Sequence, residues 1–173
     1  MTVEGKLPPR CCEAPGVIPF CRQGRLMNLP PPQKGNAMPI AGFDHVALPA
    51  GRPEELLRFY AALGFEVPTL DEWRAARNHV LAVHFGPNKI NFHHPEHWQD
   101  PAFVLRGPTA QPGCGDLCFV WSGTQDELRQ ALQAAGAPIE KGPVDRVGGR
   151  KVTGSSIYTR DPDGNLLEFI IYA

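Results

Sequence analysis

The chain has 173 residues, of which 42% are hydrophobic and 20% charged, with a formal net charge of −1 at pH 7. This composition supports one folded domain with a hydrophobic core, and it offers neither a basic surface for nucleic acid nor an apolar run long enough to cross a bilayer. The five cysteines are odd in number and unevenly spaced, which predicts no disulfide framework and, with no secretory signal, a cytoplasmic protein.

The first 41 residues differ in composition from the rest of the chain. They contain eight of the 19 prolines and show no helical or strand period. Proline lacks an amide proton and restricts the residue before it, so such a segment resists both helix and sheet. We therefore predict a disordered, proline-rich tail over residues 1–41 and a single folded domain over 42–173. Met38 is an alternative start, which leaves open whether residues 1–37 belong to the native protein.

The first half of the folded domain is predicted to form a strand, a helix and three further strands. The run from Phe43 to Leu48 is a predicted strand, in which Val46 and Leu48 point to one face and His45 to the other. Pro53, followed by two glutamates, opens a helix, and Gly64 ends it. The further strands are expected near residues 65–69, 79–85 and 89–94.

The second half repeats this order. The segment from Asp116 to Trp121 is a predicted strand, and Thr124 with Glu127 forms the pattern of a capping box. Gly136 ends the helix that follows. Three further strands are expected near residues 138–144, 153–159 and 166–172. The chain therefore contains an internal repeat with a period of about 70 residues.

A single carboxylate stands in the otherwise apolar last strand. The turn Asp161-Pro162-Asp163-Gly164 precedes the segment from Leu166 to Tyr172, in which Glu168 is the one charged residue. A carboxylate buried among apolar neighbours must be neutralised, hydrogen-bonded or bound to a cation. Glu168 is therefore a candidate metal ligand.

Five runs of sequence carry a family resemblance: Phe43–Leu48, Lys89–His93, Gly115–Val120, Glu140–Val144 and Ser156–Phe169. Together they resemble the vicinal oxygen chelate superfamily, which includes glyoxalase I, fosfomycin-resistance enzymes, extradiol dioxygenases and bleomycin-binding proteins. The most similar branch is that of the small glyoxalase domain-containing proteins. The order and spacing of the runs are specific for the fold and much less specific for the reaction, because one fold hosts several chemistries.

The resemblance implies an α+β fold in which two βαβββ modules form a curled mixed sheet around a central cleft. The modules would cover residues 42–95 and 114–173, joined by a loop over 96–113. Relatives usually pair as symmetric dimers, so we expect a homodimer that binds a small-molecule substrate and neither nucleic acid nor membrane.

Strand alternation predicts which side chains face that cleft. His45 has the parity opposite to Val46, and Asp116 takes the equivalent position in the second module. The candidate metal ligands are His45, His93, Glu168 and Asp116, and the candidate catalytic residues are Glu168 and Asp116. Imidazole and carboxylate suit a divalent ion, and they leave open whether it is Zn, Ni, Mn or Fe.

The ligand sets that the resemblance implies are not intact. Glyoxalase I uses a carboxylate where Asn91 stands, and often a histidine where Asp116 stands. Dioxygenases use two histidines and one glutamate, a set that His45, His93 and Glu168 would restore. Asp116 would then be a fourth ligand or would orient an imidazole. A bulge would exchange His93 for His94, so the residue that completes the site stays open.

Three further features of the predicted cleft have both a structural and a functional interpretation. Cys118 shares the parity of Asp116 and is expected to be a small buried side chain rather than a nucleophile. Tyr158 and Arg160 are expected to support the hairpin, although one of them could contact a substrate oxygen. The basic stretch Arg146–Lys151 is either a solvated turn or a segment that steers an anionic substrate.

Three functions are compatible with these patterns. The first is a divalent-metal-dependent, glyoxalase-like lyase or isomerase that acts on a small oxygenated or thiol-conjugated compound, with Glu168 or Asp116 as the base. The second is an Fe(II)-dependent ring-cleaving dioxygenase. The third is a non-catalytic drug-binding or resistance protein, as in bleomycin resistance.

Overall fold

The computed structural model describes residues 40–76 and 79–173, and the predicted tail therefore lies almost entirely outside the described residues. Among the residues described, no helix has the length and apolar character needed to cross a membrane. The elements of this part of the chain are β1 (His45–Pro49), α1 (Pro53–Ala62), α2 (Leu70–Ala76), β2 (Val80–Phe85), β3 (Asn88–His93), α3 (Pro95–Trp98), β4 (Asp116–Val120), α4 (Gln125–Ala134), β5 (Lys141–Val147), β6 (Thr153–Arg160) and β7 (Leu166–Ile171).

The strands form two mixed sheets that are not closed. Sheet A has the order β1-β3-β2 and sheet B the order β4-β7-β6-β5. In each sheet the first strand pairs in parallel with the last strand of its module, and the other neighbours are antiparallel. This common connectivity confirms the α+β fold and the internal repeat.

The first module departs from the predicted repeat at its second strand. The segment 65–69 makes one isolated bridge, between Glu66 and His84, and helix α2 follows it. The hydroxyl of Thr69 accepts a hydrogen bond from the amide of Glu72 at 3.2 Å, and the Glu72 carboxylate accepts one from the Thr69 amide at 2.9 Å. This reciprocal pairing is a capping box, and it begins a helix, directly after residues 65–69, that was not predicted from the sequence.

The back faces of the two sheets share one hydrophobic core with helices α1 and α4. Phe85 of β2 and Phe119 of β4 meet edge to face, with ring centroids 5.1 Å apart, and Phe65 contacts both rings. Side chains alternate between the two faces of a strand. The faces opposite to Phe85 and Phe119 therefore point away from this core, and we call them the open faces of sheets A and B.

The turn between β6 and β7 links the two modules. The carboxylate of Asp161 is buried and accepts hydrogen bonds from the Tyr60 hydroxyl of α1 at 3.1 Å and from the Asn165 side chain at 2.8 Å. The Asn165 side chain in turn accepts a bond from the amide of Gly115, just before β4, at 2.8 Å. A buried network of this kind fixes the position of α1 relative to sheet B.

Candidate functional site on the open faces

His45 is the first residue of β1 and lies on the open face of sheet A, with 44% of its side chain exposed. Its Nδ1 atom is 2.5 Å from the Oδ1 atom of Asp44, and this hydrogen bond lowers the pKa of the Asp44 carboxyl. Since Nδ1 is engaged by the carboxylate, Nε2 is the nitrogen that remains for a ligand. A histidine held by a carboxylate in this way is the usual arrangement of an imidazole metal ligand.

The two sheets present their polar residues with the same geometry. In sheet A, one residue of β3 pairs directly with His45, and Asn91 lies two residues further along β3. In sheet B, one residue of β7 pairs directly with Asp116, and Glu168 lies two residues further along β7. We call His45 with Asn91 half-site A, and Asp116 with Glu168 half-site B. The internal repeat thus produces two matching polar pairs, one on each open face.

Glu168 is partly buried on β7 and has a hydrogen-bond donor on the next strand. The hydroxyl of Ser156, which is fully buried, donates to the Oε1 atom of Glu168 at 2.5 Å. A charge-assisted bond of this length fixes the orientation of the carboxylate and offsets part of its desolvation. Ser156 is a residue that the sequence analysis missed, and the signal for it is the hairpin register, which puts β6 beside β7.

Cys118 stands directly across the parallel ladder from Glu168. Burial raises the pKa of the Cys118 thiol to about 11, and the nearby carboxylates of Glu168 and Asp116 add to this effect. The thiol is therefore protonated at neutral pH, where a protonated thiol is a poor nucleophile. The protonated thiol agrees with the expectation that Cys118 is not a nucleophile, whereas the expectation that Cys118 is buried is wrong, because the residue is exposed.

Tyr158 stands across the antiparallel ladder from Glu168, on the other side from Cys118. Its hydroxyl accepts a hydrogen bond from the Nε atom of Arg146 at 3.0 Å. Partial burial raises the pKa of Tyr158, the bond from Arg146 opposes this, and the Glu168 carboxylate adds to the increase. Asp44 and the Tyr158–Arg146 contact are also site features that strand parity alone did not predict.

His93 lies at the other end of sheet A from His45. In the β1–β3 ladder His45 faces Lys89, whereas His93 faces Pro49, and four residues of strand span about 13 Å. The two imidazoles cannot bind one ion at this separation. His93 instead packs against His97 and Phe103, with ring centroids 5.3 Å apart in each case, and burial together with the charge of His97 lowers its pKa.

His94 leaves the strand and begins helix α3. Its Nδ1 atom accepts a hydrogen bond from the amide of Glu96 at 3.3 Å. The ladders of β3 are regular as far as His93, so the bulge that would exchange the two histidines does not occur in this strand. Neither His93 nor His94 belongs to half-site A.

The predicted ligands are arranged as two pairs rather than as one cluster within a chain. Across residues 40–76 and 79–173, no three His, Cys, Asp or Glu side chains come together closely enough to hold one metal ion. Half-sites A and B each hold two of the polar candidates, and neither pair is joined by the further donors that one ion needs within the described residues.

A groove of about 710 Å³ lies beside half-site B. Its walls include the aromatic side chains of Phe85, Phe119 and Trp121, and Cys118 and Arg150 also line it. Aromatic walls with a few polar groups are typical of sites for small molecules. The groove gives the open face of sheet B an adjacent apolar surface.

Comparison with known proteins identifies the family. The model of the Glyoxalase/Bleomycin resistance protein/Dioxygenase superfamily matches residues 42–169. The chain is 37% identical over 138 residues to virulence protein STM3117 of Salmonella typhimurium, a match that covers 78% of this chain and 87% of that protein. The crystal structure of STM3117 superposes with a TM-score of 0.65 and 35% identity, over 79% of this chain and all of that one.

Two further proteins are similar to this chain. Glyoxalase domain-containing protein RDO1 of Mycosarcoma maydis is 33% identical over 135 residues, covering 77% of this chain and 69% of that protein. The structure of integron cassette protein VCH_CASS1, from the mobile metagenome of V. cholerae, gives a TM-score of 0.66 at 29% identity and covers 80% of this chain and 100% of that one. The chain belongs to the Glyoxalase/Bleomycin resistance protein/Dioxygenase superfamily.

Proposed function

We propose that the chain is a divalent-metal-dependent, glyoxalase-like lyase or isomerase whose site is completed by two subunits of a symmetric dimer. The observation that carries this proposal is the shared two-residue offset of half-sites A and B, each on the open face of its sheet. Neither half-site alone has the three or four donors of a catalytic metal site. The substrate would be a small oxygenated or thiol-conjugated compound.

A twofold axis explains how two incomplete half-sites form a complete one. In an isologous dimer, half-site A of one copy faces half-site B of the second copy, and the same contact occurs twice. The strands that carry His45 and Asp116, β1 and β4, are edge strands of their sheets, and exposed edges favour pairing with another chain. Phe43 and Val120, which flank these half-sites along the chain, are 66% and 52% exposed, so a second copy would bury them.

The donor chemistry of the combined half-sites fits a divalent transition-metal ion. His45 would supply a neutral imidazole through Nε2, and Asp116 and Glu168 would supply carboxylate oxygens. A bound ion of this kind supplies Lewis acidity, which polarises the oxygens of a bound substrate. Glu168, oriented by Ser156, is the residue best held to take a proton from a carbon next to a carbonyl, and Asp116 is the alternative base.

The geometry supports the dioxygenase alternative less well. That reaction needs two histidines and one carboxylate on one iron, and His93 is four ladder positions from His45. Oxygen uptake with a panel of catechols, together with no turnover of a methylglyoxal–glutathione adduct, would favour that alternative over the lyase.

The non-catalytic binding alternative has one observation in its favour. Glu168 already has a hydrogen-bond donor in Ser156, so its charge is partly compensated without a cation, and the groove beside it is lined by aromatic side chains. Negligible metal in the purified protein, with a rise in melting temperature on adding a drug-like ligand, would support this function.

Elemental analysis of protein purified without added metal tests the main proposal. We expect about one divalent ion per chain, as a symmetric dimer with two equivalent sites requires, and we expect His45→Ala and Glu168→Gln to lose it. Glu66→Gln is the matched control, because it changes an exposed carboxylate beyond the other edge of sheet A. Full metal occupancy in both site variants would reject the site.

A further inference from the structure

A row of polar side chains crosses the open face of sheet B. Cys118, Glu168, Tyr158 and Lys141 face one another across three successive strand ladders. The row therefore runs from the carboxylate of Glu168 on β7, beside the Cys118 thiol on β4, to the cationic side chain of Lys141 on β5. A charge gradient of this kind orients a ligand that carries a charge at one end.

Arg146 lies on β5 opposite Gly154, four residues of β6 away from the Tyr158–Lys141 pairing, and its side chain reaches back to Tyr158. Its Nε atom donates to the Tyr158 hydroxyl at 3.0 Å and its Nη1 atom to the Asp145 carbonyl at 2.9 Å, while the guanidinium carbon lies 5.6 Å from the centre of the Tyr158 ring. These contacts hold the guanidinium in place and leave further N–H groups for a ligand. Across the part of the chain that the structure describes, no carboxylate forms an ion pair with Arg146 or Lys141.

The spacing of the row limits the size of the ligand. Neighbouring strands lie about 4.8 Å apart, so Glu168 on β7 and Lys141 on β5 are separated by about 10 Å at the backbone. Because both side chains are long, the distance between their charged groups is shorter than the backbone separation. A molecule of a few carbon atoms spans this distance. An anionic group near Glu168 and Asp116 would be repelled, whereas the same group near Arg146 would be attracted.

We propose that the open face of sheet B selects small organic acids, with the carboxylate of the acid on Arg146 and its second oxygen function beside Glu168. This extends the proposed function, on which it rests for the role of Glu168, by naming the substrate class. Arg146 presents planar N–H donors suited to a carboxylate, and Tyr158 fixes their direction. Arg150 and Lys151, in the turn between β5 and β6, add to the positive potential at this end.

The test compares acids with their neutral amides in solution. The full chain, labelled with ¹⁵N, is titrated with lactate, lactamide, mandelate and mandelamide, and dissociation constants are read from backbone shifts on β6 and β7. We expect each acid to bind more tightly than its amide. Arg146→Gln should weaken acid binding about tenfold, as the loss of a charged hydrogen-bond partner implies, and should leave amide binding unchanged.

Arg129→Gln is the matched control, since Arg129 lies on α4, which packs on the core side of the sheets. It removes the same charge and should leave the acids unaffected. Absence of acid binding, equal binding of acid and amide, or an equal loss in Arg129→Gln would each overturn the proposal.

A parallel titration separates this proposal from the proposed function. Glu168→Gln removes the residue on which the metal site depends and leaves Arg146 in place, so the preference for acids over amides should persist. If that preference persists while the parent protein holds no metal, the proposed function fails and the acid site stands. If the parent protein holds metal without preferring acids, the acid site alone is rejected.

Discussion

At the scale of single residues, the central feature is the stabilisation of the partly buried Glu168 carboxylate. The strand around it is apolar, and a desolvated charge needs a partner. Ser156 provides one through a hydrogen bond of 2.5 Å from a fully buried hydroxyl. Removing the Ser156 hydroxyl should therefore destabilise the fold more than removing the hydroxyl of an exposed serine.

Replacing Ser156 with alanine should lower the free energy of unfolding by about 1 kcal/mol, because Glu168 loses a charge-assisted hydrogen bond but keeps partial access to water. Urea unfolding at neutral pH measures this change. Ser155→Ala is the control, since Ser155 lies on the same strand with the opposite parity and should change the free energy less. Equal effects of the two substitutions would contradict the role assigned to Ser156.

The buried carboxyl of Asp161 should make the stability of the fold depend on pH. Burial raises the pKa of its carboxyl above the ordinary value of 3.8, although bonds from Asn165 and Tyr60 oppose the shift. The folded chain therefore holds this proton more tightly than the unfolded chain does. The stability that this protonation contributes is fully present below pH 3.8 and is lost as the pH rises through the raised folded pKa.

Asp161→Asn should remove this part of the pH dependence, and it should also lower stability at every pH because the amide group cannot accept all of the bonds that Asp161 accepts. Thermal unfolding from pH 3.5 to pH 7 measures both effects. Asp126→Asn, which changes an exposed carboxylate of α4, should keep the slope of the parent chain. An unchanged slope in Asp161→Asn would show that another group titrates there.

At the scale of secondary-structure elements, α4 illustrates how local sequence signals determine where an element begins. The Thr124 hydroxyl accepts a bond from the Glu127 amide at 3.2 Å, and the Glu127 carboxylate accepts one from the Thr124 amide at 2.7 Å. Thr124→Ala should lower the free energy of unfolding by about 1 kcal/mol. Thr124→Ser keeps the hydroxyl and should cost much less, so equal losses in chemical denaturation would argue against the cap.

Local signals predicted most elements because each of them depends on neighbours within a few residues. The alternation of β1 and the capping box of α4 are of this kind. The sequence predicts a strand near residues 65–69, where the structure has one isolated bridge. The reciprocal bonds between Thr69 and Glu72 instead begin a helix, and this pattern repeats the cap that was recognised at Thr124.

At the scale of the whole molecule, parity predicted which face of its own strand each candidate residue occupies. His45 lies opposite in parity to Val46, and Asp116 and Glu168 share the open face of sheet B. Parity could not predict how the two sheets meet, because that depends on contacts distant in sequence, such as Phe85 with Phe119. The grouping of the candidate ligands into two separate pairs was therefore beyond the reach of local patterns.

The proposed dimer makes its own prediction at this scale. Sedimentation of the full chain should show a dimer, because the proposed site needs residues from a second copy. His45→Ala and Glu168→Gln should remain dimeric, since each removes a ligand and leaves the apolar contacts in place. A monomer at all accessible concentrations would contradict the shared site while leaving the fold unaffected.

Metal binding by mixed dimers tests the central claim most directly. The variants His45→Ala and Glu168→Gln are each expected to bind no metal. In a dimer with one subunit of each kind, one site has both substitutions and the other has neither. Co-refolding equal amounts should therefore restore metal to about one site in four, as random pairing of twofold-symmetric subunits gives. A mixture that stays free of metal, beside a parent protein that binds it, would contradict a site shared between subunits.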